Sequence, residues 1–276
     1  MPEDAEVLDY ATSAPPPADP IPLRRRLAAE GVGTFLMVFF GCGSMAVDAA
    51  YGGAIGHVGI GLVWGIVVMA LIYAMGDVSG AHYNPAVSFA FWLAGRFRGK
   101  DALWYSGVQV VAATVAACVL LVCFMGHWDL GQTNPSPPLA LRERNELLAS
   151  VDAGTPTPLF ISAETTSGDI ARAFGFEIIL TFALVFVILC VAVGSKERGL
   201  MAGIAIGGTV GICALAAGPV CRASMNPARS IGPAIAALDF QYLWLYCLAP
   251  MIGAAIAVGA WTYIYRHPKP VATRDA

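Results

Sequence analysis

Charged residues are scarce in this sequence. Only 13% of the 276 residues are Asp, Glu, Lys or Arg, whereas soluble globular proteins carry about 25%. A soluble chain of this length would need many more polar side chains to cover its surface. The composition therefore argues against a water-soluble enzyme or nucleic-acid-binding protein, and the net charge of −3 favours no polyanionic partner. We predict an integral membrane protein that is surrounded by the lipid bilayer.

The cysteines do not form the pattern of a disulfide scaffold. There are seven of them, an odd number in a chain of 276 residues. Most lie inside apolar runs, as Cys118, Cys190 and Cys213 do. Small secreted domains instead carry dense, even-numbered cysteine frameworks, so a disulfide-stapled secreted protein is excluded.

Six segments are long and apolar enough to cross about 30 Å of hydrocarbon, which takes about 20 residues. They are 27–48, 57–76, 102–125, 171–194, 200–217 and 242–265. The acidic, proline-rich leader has no basic start and no small-residue cleavage site, so we predict a disordered tail rather than a signal peptide. The resulting organisation is a tail (1–24), a first repeat (25–126), a connection (127–168), a second repeat (169–265) and a tail (266–276).

Lysine and arginine indicate the orientation of these spans, because cytoplasmic loops are enriched in both. With six spans, 11 of the 16 basic residues fall on one side of the membrane. They are Arg24, Arg25, Arg26, Arg96, Arg98, Lys100, Lys196, Arg198, Arg266, Lys269 and Arg274. We therefore predict that both termini are cytoplasmic, in a plasma or inner membrane.

The chain also contains an inverted internal repeat. Asn84-Pro85-Ala86 matches Asn226-Pro227-Ala228, 142 residues later, and Glu30 matches Glu177, 147 residues later. Both Asn-Pro-Ala tripeptides lie in apolar segments, 77–95 and 218–238, that are too short to cross. Three spans per half is an odd number, so the second half must be inverted. Broken helices in inverted repeats place a site near the bilayer midplane.

Each Asn-Pro pair predicts the start of a short helix. Asparagine is a favoured N-cap, and proline is tolerated at the first helical position, so half-helices are expected over 85–94 and 227–237. Inversion would point their N-termini at each other, and each carries about half a positive charge. Such a constriction opposes cations and protons but still offers asparagine N–H donors to a neutral solute. The alternative is a pair of proline-kinked turns with a purely structural role.

These segments resemble the major intrinsic protein (aquaporin) family, through SGAHYNPAV (79–87) and SMNPARSIGPA (224–234). The resemblance covers about residues 25–265. It implies an all-α membrane fold with six transmembrane helices, two re-entrant half-helices, a 3+3 inverted repeat and an hourglass pore in each subunit of a homotetramer. It also implies that Glu30 and Glu177 support the loops before the half-helices; a proton-relay pair is the alternative.

The resemblance further implies two sets of pore residues. The first, which we call the filter ring, is Trp64, Ala214, Ala223 and Arg229. The second is a ladder of backbone carbonyls from Gly80, Ala81, His82, Arg222, Ala223 and Ser224. Arg222 departs from the family, which usually has a small residue there.

The filter ring suggests the solute. Arg229 is a charge at membrane depth, which is expensive and marks a functional site; the alternative is an arginine that snorkels to the surface. Trp64 offers an apolar wall, unless it faces lipid. With Ala214 and Ala223 the ring is wide, and it resembles those of the plant nodulin-like branch and the glycerol facilitators. We expect passage of glycerol-like polyols and water, and of metalloid acids such as arsenous acid.

Two rival functions follow from the same pattern. A water-selective channel would have a narrower ring, and an ion-coupled secondary transporter would need titratable groups at the midplane beyond the two glutamates. An enzyme is not expected, because the sequence shows no nucleophile–base set, phosphate loop, cofactor motif or metal-ligand cluster. The prediction is a passive channel that excludes ions and protons, with no cofactor, no metal and no nucleic-acid partner.

Overall fold

The computed structural model describes residues 21–124, 167–192 and 201–265, and within these ranges it is all-helical. Six helices are long and apolar enough to cross a membrane, and two are short. The helices are α1 (Leu23–Ala50), α2 (Gly56–Ser79), α3 (Pro85–Leu93), α4 (Gly99–Cys123), α5 (Ser167–Ala192), α6 (Ala202–Cys221), α7 (Pro227–Ala237) and α8 (Leu243–Tyr265). The six predicted spans are confirmed.

The helix ends differ from the predicted spans by a few residues. α1 begins at Leu23 rather than at residue 27, and α6 ends at Cys221 rather than at residue 217. α1 is longer because the apolar stretch marks only the part of a helix that lies in hydrocarbon, and this helix continues into the polar residues at its start. α6 is longer because it includes the first residues of the apolar segment 218–238. The predicted tail over 1–24 and the tail over 266–276 lie outside the described residues, apart from residues 21–24. So does the predicted connection 127–168, apart from its last two residues.

The long helices pack in three main pairs, of which the first joins the two halves and the other two each lie within one half. α2 lies along α6, α1 along α4, and α5 along α8. Glycines permit the close approach of α2 and α6: a Cβ atom on Gly207 would lie 2.6 Å from the carbonyl oxygen of Gly65. Small residues that let two backbones approach are the usual means of helix association in a membrane.

The two short helices lie between the halves. α3 contacts α4 of its own half and α8 of the other, and α7 contacts α8 of its own half and α4 of the other. The α7–α4 contact is again made by glycine, because a Cβ atom on Gly232 would lie 2.5 Å from the carbonyl carbon of Ala113. Because each short helix packs against long helices of both halves, both short helices are held in the middle of the bundle.

Candidate functional site

Each short helix begins at an asparagine that caps it. Oδ1 of Asn84 accepts a hydrogen bond from the N–H of Ala86 at 2.9 Å, and Pro85 is the first helical residue. Oδ1 of Asn226 accepts from Ala228 at 3.0 Å and from Arg229 at 3.3 Å. Both asparagines have extended backbone, as N-caps do. The short helices therefore begin where the Asn-Pro pairs predict; the first ends at Leu93 rather than at residue 94.

The same two asparagines connect the halves of the protein. Nδ2 of Asn84 donates to the carbonyl oxygen of Met225 at 2.7 Å, and Nδ2 of Asn226 donates to that of Tyr83 at 2.9 Å. The two N-terminal ends thus meet, and each is fixed by the loop of the other half. A side-chain amide has two N–H groups, so each asparagine keeps a second one.

The loops that precede α3 and α7 follow the same course at matching places. Ala81 and Tyr83 in the first loop have left-handed backbone, with φ of 50° and 47°, and Ala223 and Met225 in the second have φ of 43° and 51°. This conformation is costly for residues other than glycine and persists only where the surroundings impose it. Buried carboxylates impose it here.

Glu30 and Glu177 are fully buried and accept hydrogen bonds from these loops. Glu30 accepts from the backbone N–H of His82 at 2.9 Å and of Tyr83 at 2.7 Å. Glu177 accepts from those of Ser224 at 2.7 Å and Met225 at 2.8 Å. The two carboxylates are therefore bound into the loops, where burying a charge without such partners would be strongly unfavourable.

These hydrogen bonds also orient the loop carbonyls. In a trans peptide the N–H and the C=O point in opposite directions. Because Glu30 takes the N–H of His82 and of Tyr83, the carbonyls of Ala81 and His82 point away from it. By the same argument Glu177 directs the carbonyls of Ala223 and Ser224 away from itself. All four of these residues line one central cavity.

The central cavity has a volume of about 640 Å³ and runs past both asparagines. At one end it reaches the C-terminal part of α2, where Asp77 lies, and toward the other end it is lined by the filter ring. All four ring residues, Trp64, Ala214, Ala223 and Arg229, are buried in the protein and line this cavity. Trp64 therefore does not face lipid.

Arg229 lies on the first turn of α7 and is only 2% exposed, so it does not snorkel to the surface. Its guanidinium carbon lies 5.2 Å from the centre of the Trp64 ring, and its Nη2 lies 3.5 Å from the sulfur of Met45. Its Nη1 has no hydrogen-bond partner among the described residues. A buried donor without a partner is unfavourable and is suited to a ligand oxygen.

Several contacts of the site were not predicted from the sequence. Nε2 of Gln109 donates to Glu30 at 2.8 Å, and Oδ1 of Asp48 accepts from the N–H groups of Ile55 and Gly56 in the turn between α1 and α2. Gly41 leaves room for the indole of Trp64, since a Cβ there would lie 2.5 Å from the ring. A polar residue inside an apolar span was the available signal for Gln109 and Asp48.

One further pair could have been found from the repeat. Ser88 and Ser230 are 142 residues apart, as are the asparagines. Oγ of Ser88 lies 3.0 Å from Nδ1 of His82, and Oγ of Ser230 lies 2.5 Å from Oγ of Ser224. Each serine thus connects its half-helix to the loop before it.

Comparison with known proteins assigns this arrangement to a family. The family profile described as "Major intrinsic protein" matches residues 19–263. The chain belongs to the major intrinsic protein family. It is 39% identical to Aquaporin NIP1-2 of Oryza sativa subsp. japonica, over 86% of this chain and 70% of that one. It is 37% identical to Nodulin-26 of Glycine max, over 88% of this chain and 78% of that one.

A solved structure shows the same fold. The aquaglyceroporin from Plasmodium falciparum superimposes with a TM-score of 0.65, at 23% identity, over 87% of this chain and 96% of that one. Membership of the major intrinsic protein family confirms the predicted resemblance, the all-α membrane fold, and a channel rather than an enzyme.

Proposed function

We propose that this major intrinsic protein is a passive channel for small uncharged solutes, chiefly glycerol-like polyols and water. The observation that carries this proposal is the filter ring at the central cavity. It joins the apolar wall of Trp64 to the donors of Arg229, with only Ala214 and Ala223 to fill the remaining sides. Two methyl groups leave a wide opening.

The ring has two unlike faces. Trp64 offers a broad apolar surface, whereas Nη1 of Arg229 offers a hydrogen-bond donor that none of the described residues occupies. A polyol likewise has a carbon edge and a hydroxyl edge, so it satisfies both faces at once. A neutral hydroxide of similar size, such as arsenous acid, has comparable donors and acceptors. A water molecule leaves the tryptophan face unused, so a ring of this kind favours polyols over a water-selective role.

Ions are opposed by the charges of the same region. The N-termini of α3 and α7 meet at the two asparagines, and each carries about half a positive charge. Arg229 adds a full one, and no carboxylate belongs to the filter ring. The second N–H of each asparagine is a donor to solute oxygen, and the loop carbonyls are the acceptors. Cations and protons meet an electropositive barrier, while neutral solutes exchange hydrogen bonds along the route.

The carbonyl ladder is the part of the route that Glu30 and Glu177 support. By taking the loop N–H groups, they leave the carbonyls of Ala81, His82, Ala223 and Ser224 for solute. The proton-relay alternative is disfavoured, because each carboxylate has its oxygens bound to loop donors rather than to a chain of titratable groups.

Stopped-flow light scattering on proteoliposomes tests the proposal. A sorbitol gradient measures water permeability, and a glycerol or arsenous acid gradient measures solute permeability. We expect both to exceed those of protein-free liposomes and to be unchanged by a proton or sodium gradient. If glycerol permeability equals that of protein-free liposomes while water permeability is raised, the protein is a water-selective channel. A flux that follows the ion gradient would indicate a coupled transporter.

We also propose that both termini are cytoplasmic, in a plasma or inner membrane. Basic residues collect at one end of the bundle: Arg26 forms a 3.0 Å ion pair with Asp101 at the start of α4, and Arg96 lies over Trp261 near the end of α8. The positive-inside rule supports a cytoplasmic position for that end. We further propose a homotetramer with one pore per subunit. Protease protection in oriented vesicles tests the orientation, and native mass spectrometry tests the tetramer.

A further inference from the structure

Beyond the filter ring lies a second, smaller cavity, which we call the mouth cavity. Its volume is about 30 Å³, and it shares Trp64 and Ala214 with the central cavity. Its other walls include His57, Gly218, Pro219 and Arg222. A space of this size suits water and is too small for a polyol. The residues that line the mouth cavity therefore leave little room beside the filter ring.

Arg222 stands at a place where the chain itself uses glycine. It lies 142 residues after Gly80, the spacing that relates the two asparagines. Gly80 ends α2 with φ of 87° and donates to Gly76 at 2.8 Å; Arg222 ends α6 with φ of 66° and donates to Gly218 at 2.8 Å. Both residues end their helix with the same left-handed backbone conformation and the same hydrogen bond. Glycine adopts this conformation at the lowest conformational energy. The backbone therefore does not require an arginine there.

His57, which also lines the mouth cavity, is held in place by its neighbours. The Nε2 atom of His57 lies 2.7 Å from the carbonyl oxygen of Leu215, and a Cβ on Gly218 would lie 3.0 Å from the His57 ring. Pro219 stiffens the adjoining backbone of α6. Arg222 contributes the longest side chain to the lining of this cavity. Arg222 also lies within electrostatic range of Arg229, so a second positive charge stands beside the one in the filter ring.

We propose that Arg222 is a specificity-determining residue, which limits by its bulk the size of the solute that passes the mouth cavity. This proposal rests on the proposed function, because it assigns a size limit to the same route. A channel with only the filter ring would admit polyols longer than glycerol, since Ala214 and Ala223 leave the ring wide. With Arg222 in place, the mouth and not the ring sets the upper limit.

The test is polyol permeability of Arg222→Gly in proteoliposomes, over the series glycerol, erythritol and xylitol. Glycine suits the left-handed backbone, so this variant is expected to fold at least as well as the original protein. We expect the erythritol-to-glycerol permeability ratio to rise on the order of tenfold, which is about 1.4 kcal/mol in barrier height, with a smaller change in water permeability. Arg24→Ala, which removes an exposed charge at the start of α1, is the control and should leave the ratio unchanged.

Arg222→Met separates bulk from charge, because methionine keeps a long side chain without the guanidinium. We expect it to stay restrictive, close to the original protein. If Arg222→Met opens the pore to erythritol as far as Arg222→Gly does, bulk is not the cause and the proposal is overturned. If Arg222→Gly carries glycerol with an unchanged ratio, the proposal is overturned while the channel function stands. If neither the original protein nor the variants carry glycerol, the proposed function itself fails.

Discussion

Replacing Glu177 with glutamine is expected to loosen the loop before α7. The two carboxylate oxygens of Glu177 accept one backbone hydrogen bond each, Oε1 from the N–H of Ser224 and Oε2 from that of Met225. Glutamine keeps one oxygen and puts an NH₂ group in place of the other. Whichever way the amide turns, one buried backbone N–H faces another donor.

The magnitude follows from that count. A buried donor left without a partner costs about 1–3 kcal/mol, so Glu177→Gln should lower the free energy of unfolding by about that amount. Glu177→Leu removes both acceptors and should cost about twice as much. The loop carbonyls of Ala223 and Ser224 would be held less firmly in the glutamine variant and least firmly in the leucine variant. We therefore expect polyol permeability to fall from the original protein to the glutamine variant and further to the leucine variant.

Asp48→Asn is the matched control. Asp48 is also buried, but a single oxygen, Oδ1, accepts both of its backbone hydrogen bonds, from Ile55 at 2.8 Å and Gly56 at 2.6 Å. Asparagine can keep that oxygen in place, so this variant should lose less stability than Glu177→Gln and keep its permeability. Thermal unfolding in detergent and stopped-flow glycerol flux measure the two effects. Equal losses in Glu177→Gln and Asp48→Asn would refute the reasoning.

Two further predictions concern packing and charge. Gly207→Ala should lower the free energy of unfolding by about 1–3 kcal/mol in thermal unfolding, because its Cβ would lie 2.6 Å from the carbonyl oxygen of Gly65. Gly208→Ala should not, because no atom of the described residues lies within 4 Å of a Cβ there. Equal effects of the two variants would contradict the proposed helix contact. Asn84→Asp should raise sodium conductance in planar bilayers, because it puts a negative charge between the half-helix N-termini and removes the donor to Met225; conductance at background would contradict the electropositive barrier.

Much of the fold was predictable because few structures are possible in hydrocarbon. Backbone groups must be satisfied within the membrane, so apolar length alone gave six spans, and the repeated Asn-Pro pairs gave both half-helix starts at Pro85 and Pro227. The helix ends were less predictable. Polar residues continue a helix past the hydrocarbon, as they do at the start of α1.

The candidate site was predictable in its members but not in its contacts. The family resemblance implied Trp64 and Arg229, yet the room for the indole depends on Gly41, which carries no local signal. The partner that each asparagine finds, Met225 or Tyr83, depends on how the two inverted loops meet. Such contacts join residues about 140 positions apart in the sequence, and no local pattern specifies them.

The most direct test of the account is the glycerol-to-water permeability ratio of Ala214→His with Ala223→Phe, measured against the original protein by stopped-flow light scattering. Filling the two small sides of the filter ring should leave room for water but not for a polyol. We predict that the original protein carries glycerol well above the lipid background and that the double variant loses glycerol flux while keeping most of its water flux. Equal loss of both, or an unchanged ratio, would contradict the claim that this ring selects the solute.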